Sequence, residues 1–279
     1  MSSLPQVQVV TSTSGWELHG TAPADGSGAL IWRDELELSG LGPTDVLATH
    51  NVAIACLPFG EIGNNASATV ATRLTSTFPG IKFGLMVGIE GGVPPAVRLG
   101  DVVVSAPVDT YGGVVQWVFG KSEQGNGFRR VGSLDGPPTV LKTALVALRV
   151  RHEMEGSRIR EILDAMEKKV AEISAQHVET KPDQQGKEEE EEEEQRSCSS
   201  CNSSKAIKRK SPRDTKIHYG LVASGNRVIK DGVLLDEINS RFGGKVLCFE
   251  MEAAGLMNDF RCLVISGICD YADSHKNKA

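Results

Sequence analysis

The sequence predicts an α/β fold, and two patterns carry that expectation. Apolar runs of strand length alternate with helix-length segments, first over 52–89 and again over 217–270. Acidic residues then stand where two late apolar runs end, at Glu250, Glu252 and Asp270. In open α/β sheets ligands bind beyond the carboxyl ends of the strands, so these residues mark the candidate site. From residue type alone, Glu252 also fits a plainer role at the start of the helix that follows it.

Residues 1–45 are the least regular part of the chain. Ser, Thr, Gly and Pro are frequent there, Val7–Val10 fits a short strand, and Leu30–Leu38 fits a short strand or helix. From Val46 the pattern is clear. Val52–Leu57 is a buried strand stopped by Pro58. Gly60-Glu61-Ile62-Gly63 then turns into a helix over Ala66–Phe78, with Asn64 or Asn65 as N-cap and Pro79-Gly80 as its stop. Ile81–Ile89 is a second buried strand, leaving through Gly88-Ile89-Glu90-Gly91-Gly92. This unit predicts a right-handed crossover between parallel neighbours. Asp101–Ser105 and Val114–Phe119 add two strands.

Leu141, Leu145, Leu148, Ile159, Ile162, Leu163 and Met166 lay an apolar stripe along a helical stretch, Pro138–Gln176, broken near Gly156-Ser157. The composition then changes. Glu188–Glu194 is unbroken glutamate, followed by Cys198-Ser199-Ser200-Cys201 and the basic residues Lys205, Lys208, Arg209, Lys210 and Arg213. Blocks of like charge resist packing, so 179–214 is expected to be a disordered charged insertion. The flanking stretches 46–178 and 215–279 are expected to form one domain. Cys198 and Cys201 are read as exposed thiols, with half of a metal site as the other reading. Only distant His177 and His218 offer further ligands, so no metal is expected.

Ile217–Ala223 is the next strand, ending in Ser224-Gly225-Asn226. A helix over Asp231–Phe242 stops at Gly243-Gly244. Val246–Glu250, a short helix over Ala253–Met257, and a strand from Cys262 to Ile268 closing on Asp270 complete the chain. A doubly covered sheet would finish with a helix here, and the residues after Asp270 are too few and too polar for one.

Composition narrows the function classes. A net charge of −6 argues against a nucleic-acid binder driven by phosphate contacts. No apolar run reaches the ~20 residues that span a bilayer, and no basic-then-apolar leader opens the chain. Cys56, Cys248, Cys262 and Cys269 lie in or beside apolar runs, where reduced, buried thiols are expected, so a cytoplasmic protein is expected. Gly60-x-x-Gly63 lacks the spacing of a dinucleotide fingerprint and the G-K-[ST] of a phosphate loop. Gly88–Gly92 either lets a ligand approach the backbone or is a tight strand exit; both readings stand.

Six segments together resemble the nucleoside phosphorylase and nucleosidase superfamily: L-P-F-G-E-I-G-N-N-A-S-A-T-V-A-T-R-L (57–74), G-L-M-V-G-I-E-G-G-V-P (84–94), L-G-D-V-V-V-S (99–105), I-H-Y-G-L-V-A-S-G-N (217–226), C-F-E-M-E-A-A-G-L-M (248–257) and I-S-G-I-C-D-Y-A-D-S-H-K-N-K (265–278). The superfamily includes purine nucleoside phosphorylases and methylthioadenosine/adenosylhomocysteine nucleosidases. The chain looks most like the fungal version, which is often fused to nucleotide-binding and repeat domains and carries a long insertion with a C-x-x-C. The resemblance implies a three-layer, phosphorylase/hydrolase-like fold with a central mixed twisted sheet flanked by helices. It implies that Glu252 grips the ribose hydroxyls with Met251 packed on the sugar, and that Asp270 gives a proton to purine N7. It further implicates Ser224 and Gly225 beside the base, Phe249 in substrate binding, and Gly88, Ile89 and Gly91 along the sugar.

That chemistry is coherent on its own terms. Cleaving an N-glycosidic bond passes through an oxocarbenium-like sugar, and the purine leaves more readily when protonated. A carboxylate beside the sugar stabilises the developing positive charge. Phosphorylases of the superfamily place an arginine just before the G-x-x-G turn, and the matching residue here is Met86. Hydrolysis is therefore expected over phosphorolysis. No cofactor is expected, and phosphate would enter only as the co-substrate of a phosphorylase. The superfamily's opening strand motif is not found in 1–45. A catalytically inactive nucleoside-binding module and a non-catalytic oligomerisation domain are the competing readings. The expected partners are a purine nucleoside or nucleotide, further copies of the chain as a homo-oligomer, and fused domains, with no nucleic acid and no membrane.

Overall fold

The computed structural model describes residues 7–12, 51–124, 127–176 and 214–275. They fall into two compact units, Met1–Gly156 with Lys216–Ala279, and Ser157–Thr215. The expected charged insertion, 179–214, lies almost wholly outside the described residues, as do Leu30–Leu38, Cys198 and Cys201.

The first unit is built on β1 (Val7–Ser12), β2 (Asn51–Cys56), α1 (Asn64–Thr77), β3 (Phe83–Gly92), β4 (Val102–Ser105) and β5 (Val114–Gln116). A hairpin of β6 (Gly120–Glu123) and β7 (Gly127–Arg130) and the helix α2 (Thr139–Glu155) follow. The second unit contributes α3 (Ile159–Gln176). The first unit resumes with β8 (Ile217–Ser224), α4 (Gly232–Arg241), β9 (Val246–Glu250), a single 3-10 turn (Ala253–Gly255) and β10 (Cys262–Tyr271). Gly156, at φ 82, ends α2 because a left-handed backbone there suits only a residue without Cβ.

An eight-stranded mixed sheet organises the unit. β3 pairs with β10 in parallel, β10 with β4 antiparallel, and β4 with β8 and β8 with β9 in parallel. β9 returns to β3 antiparallel through Gly91–Phe249 and Gly92–Cys248, so five strands close into a ring. Length makes this possible. One edge of the ten-residue β3 carries β1 along 83–87 and β9 at 91–92. In the same way one edge of β8 carries β4 and then β5.

Three apolar clusters fix the layers. The ring interior and the α1 face share one core, with Met86, Val103, Val222, Cys248 and Val264 against Val70, Ala71, Leu74 and Met257. α4 lays Leu235 and Ile238 over Leu221, Ala223 and Phe249. α2 lays Leu141 and Leu145 over Val104 and Leu263. Each Val, Leu, Ile, Phe or Met among them contributes about 1.5–3 kcal/mol on burial.

Several expectations change. β2 and β3 run in the same direction but are not neighbours, because β1 lies between them and pairs antiparallel with both. The free edge of β3 demanded hydrogen bonds, and a segment remote in sequence supplied them. Gly88–Gly92 is no turn; β3 continues through it to Gly92. The N-cap of α1 is Gly63 rather than Asn64 or Asn65. The hairpin β6–β7 was not anticipated, since its residues are polar and lack a strand period. Of the four cysteines expected to be buried, Cys248 and Cys262 are, Cys56 is half-buried and Cys269 is exposed. Cys269 sits at a β-bulge between Ile268 and Asp270, which turns it out of the sheet.

Candidate functional site

The helix α1 begins without a side-chain cap of its own, so its first N–H groups need acceptors from elsewhere. Two arrive from the far end of the chain. Glu252 Oε1 accepts from the Gly63 N–H at 3.1 Å, and Asn226 Oδ1 accepts from the Asn64 N–H at 2.9 Å. Ser67 Oγ donates to the Glu252 carbonyl at 2.8 Å. A carboxylate is favoured at a helix N-terminus by the unpaired N–H groups and the macrodipole. Glu252 thus caps a helix, but α1 rather than the turn that follows it in sequence. The fit is close: a Cβ on Gly255 would stand 2.0 Å from the Asn64 carbonyl oxygen.

Glu252 is not alone. Glu90, Glu250 and Glu252 are 3%, 5% and 2% exposed, and each raises the proton affinity of a neighbour through its charge. Glu250 Oε2 accepts from the N–H groups of Glu252 and Ala253, both at 2.7 Å, which folds the chain at the end of β9. Ser224 Oγ accepts from the Ala254 N–H at 2.9 Å and donates to Asn64 Oδ1 at 3.3 Å, tying β8 to the same knot. Ser266 Oγ, on β10, donates to Glu90 Oε1, and the Cys248 thiol lies against the same carboxyl.

Burial sets the ionisation of this group. Desolvation lifts Glu90 to about 7, partly offset by Cys248 and Ser266 and reinforced by Glu252. Desolvation also lifts Glu250 to about 8, with the charges of Glu90 and Glu252 adding to it. Burial raises Glu252 as well, opposed by the Gly63 and Met251 N–H groups. Cys248 is pushed well above the ordinary thiol range by burial and by Glu90. Burial thus brings Glu90 and Glu250 into the range where acid–base chemistry operates.

Asp270 stands on the other side. It pairs with Gly91 across β10 and β3, and a Cβ on Gly91 would lie 3.0 Å from its Oδ1. Neighbouring residues of a strand point to opposite faces, so Glu90 and Asp270 occupy opposite faces of β3 at its carboxyl end. Gly91 in turn pairs with Phe249, and Phe249 with Ala223. Asp270, Gly91, Phe249 and Ala223 therefore form one row across four strands. Phe249 meets Trp117 edge to face at 6.4 Å, and Trp117 packs so closely on Gly225 that any Cβ there would touch its indole nitrogen.

The sequence-derived residues thus divide. Glu252 and Ser224 meet at the α1 N-terminus, with half-buried Met251 beside them. Asp270, Gly91, Phe249 and Gly225 line the opposite face. Gly88 and Ile89 lie on β3 before them, Ile89 turned outward. Among the described residues no group of His, Cys, Asp and Glu side chains could hold a metal ion, and no helix is long and apolar enough to cross a membrane. Sequence reasoning gave no role to Glu90, Ser67 or Ser266, and read Asn64 only as a candidate N-cap. The one signal for Glu90 was a carboxylate placed in a glycine-rich strand end.

No family model matches the chain. Over 232 residues it is 43% identical to a nucleotide-binding leucine-rich repeat (NLR)-like protein of Hyaloscypha variabilis, a match that covers 82% of this chain. The chain spans about a quarter of that relative, 23% of its length. The solved structures it is similar to include methylthioadenosine/adenosylhomocysteine nucleosidases, the class its motifs resemble. One, from Neisseria meningitidis in complex with methylthio-immucillin-A, is 16% identical at a TM-score of 0.48, over 81% of this chain and 71% of its own. Another, from Helicobacter pylori with 5'-methylthioadenosine in the active site, is 15% identical at 0.46, over 81% and 70%.

Proposed function

We propose that this chain cleaves the N-glycosidic bond of purine nucleosides, with water rather than phosphate as the acceptor. The observation that carries the reading is the pairing of a buried carboxylate group, around Glu252, with a carboxyl on the opposite face of the same strand end, Asp270. A nucleoside laid over the carboxyl end of β3 meets Glu252 with its sugar and Asp270 with its base. Glu252 accepts hydrogen bonds from the ribose hydroxyls and stabilises the positive charge that grows on the ring. Asp270 donates to N7, so the purine departs neutral. Phe249 and Gly225 flank the base, Met251 the sugar, and Gly88, Ile89 and Gly91 the approach along β3. Met86 is 1% exposed within the core, so the residue at the position of a phosphorylase's arginine offers no cation to phosphate.

The test is incubation of the purified chain with adenosine, guanosine, their nucleotides and methylthioadenosine, each with and without phosphate, reading free base by chromatography. Release independent of phosphate is expected. Release that requires phosphate would make the chain a phosphorylase.

A second reading has its own support. The relative is an NLR-like protein much longer than this chain, which suits a nucleoside-binding module inside a larger receptor-like protein. Binding by calorimetry, lost in Glu252→Ala, without any base release is the result that favours it.

A further inference from the structure

Asp270 stands just past a break in the regular pairing of β10, the β-bulge between Ile268 and Asp270. On one side β3 accompanies the strand through the bulge, with Ile268 opposite Glu90 and Asp270 opposite Gly91. On the other side β4 pairs with it only as far as Val102, opposite Gly267. Two hydrogen bonds from the turn before β4 carry the pairing one residue further. The Gly100 N–H donates to the Ile268 carbonyl at 2.9 Å, and the Ile268 N–H donates to the Asp101 carbonyl at 2.8 Å. The turn over 98–101 therefore grips the last residue before the bulge, and its position sets where Asp270 begins.

That turn is not held by packing at its tip. Gly100 has a φ of 78, and a Cβ built on it would meet nothing within 4 Å. The Asp101 side chain supplies the hold. It is 2% exposed, and its two oxygens reach three segments. Oδ2 accepts from the Arg98 N–H at 3.1 Å, which closes the turn, and Oδ1 accepts from the Lys216 N–H at 3.0 Å. His218 Nε2 lies 2.8 Å from Oδ2. A carboxylate only accepts, so that nitrogen carries the hydrogen. Lys216 and His218 flank the start of β8, where Ile217 and His218 pair with Val102 and Val103. The Val102 N–H in turn donates to the Lys216 carbonyl at 2.9 Å. One buried carboxylate thus fastens the turn to a core strand through charge-assisted hydrogen bonds, the stronger kind.

We propose that Asp101 and His218 are positioning residues for Asp270, a role that rests on the nucleosidase reading, in which Asp270 gives its proton to N7. His218 orients the Asp101 carboxylate, the carboxylate fixes the turn, and the turn's main chain holds Ile268 and with it the bulge that aims Asp270. Neither side chain touches the nucleoside or exchanges a proton in the reaction. Releasing the turn leaves the Asp270 carboxyl intact but displaced, and a displacement of about 1 Å lowers a rate by up to about 10²-fold.

The experiment measures kcat and KM for base release from the best substrate in the full chain and in five variants. These are Asp101→Asn, His218→Ala, His218→Gln, Asp270→Asn and the double variant Asp101→Asn with Asp270→Asn. Asp101→Asn and His218→Ala should each lower kcat by about 10–10²-fold and leave KM within a few-fold. His218→Gln, whose amide can still donate to Asp101, should recover most of that loss. Adding Asp101→Asn to Asp270→Asn should lower the rate no further, because nothing remains to be positioned. If Asp101→Asn keeps its kcat, or if the two losses multiply in the double variant, the pair only supports the fold and the nucleosidase reading stands. If the unaltered chain releases no base from any nucleoside, that reading falls and this role with it. If Asp101→Asn does not fold, as judged by its melting curve, His218→Ala in the Asp270→Asn background decides, and a multiplied loss there overturns the proposal.

Discussion

Glu252 accepts the N–H of Gly63 across a separation of 189 residues, so the carboxylate expected at the substrate also caps the helix α1. Both roles can be separated by substitution. Glu252→Ala removes the cap and should destabilise the fold by about 0.5–2 kcal/mol, the usual cost of losing an N-terminal cap. Glu252→Gln keeps an acceptor oxygen and should melt close to the unaltered chain, yet it cannot stabilise a cationic sugar as a carboxylate does. Thermal melting set beside base release separates the two; equal activity in Glu252→Gln would remove Glu252 from the chemistry.

Asp270→Asn should leave substrate-analogue binding within a few-fold and lower base release by about 10²–10⁴-fold, the range for a general acid. The deficit should shrink for nucleosides whose bases leave readily without protonation. A uniform loss across good and poor leaving groups would argue that Asp270 orients rather than protonates.

Stability should depend on pH in a direction opposite to that of most carboxylates. Glu90 and Glu250 have folded values of about 7 and about 8, above the ordinary 4.5. Between 4.5 and those values the folded chain binds more protons than the unfolded one. Stability from these two groups is therefore present at the acid end of the window and lost as pH rises through about 7 and 8. Denaturant midpoints taken from pH 5 to pH 8.5 should fall, and Glu250→Gln should flatten that fall. A rising midpoint over the same interval would contradict the arrangement.

Gly255→Ala places a Cβ 2.0 Å from the Asn64 carbonyl, a backbone atom that cannot swing aside. The α1 N-terminus must move, at a cost of about 1–3 kcal/mol or more. Urea denaturation should register that loss, and base release should fall with it because Glu252 loses its partner.

Much of this was legible from residue order. Apolar runs and their stops fixed most strands of the sheet, since strand length and burial leave a local trace, and the ends of α2 and α4 follow from Gly156 and the Asp231 cap. Glu250, Glu252 and Asp270 stood out because charges at the ends of apolar strands are costly without a purpose. Pairing was not legible. That β1 separates β2 from β3, and that β9 returns to β3 to close a ring, depends on hydrogen bonds between segments far apart in sequence. Ring closure is also what brings Glu90 beside Cys248 and Glu250, while the β10–β3 register sets Asp270 on the other face. Sequence by itself marked Glu250, Glu252 and Asp270 as carboxylates at strand ends; only the tertiary structure decided which of them share a face, because facing is set by strand register and no single segment carries it.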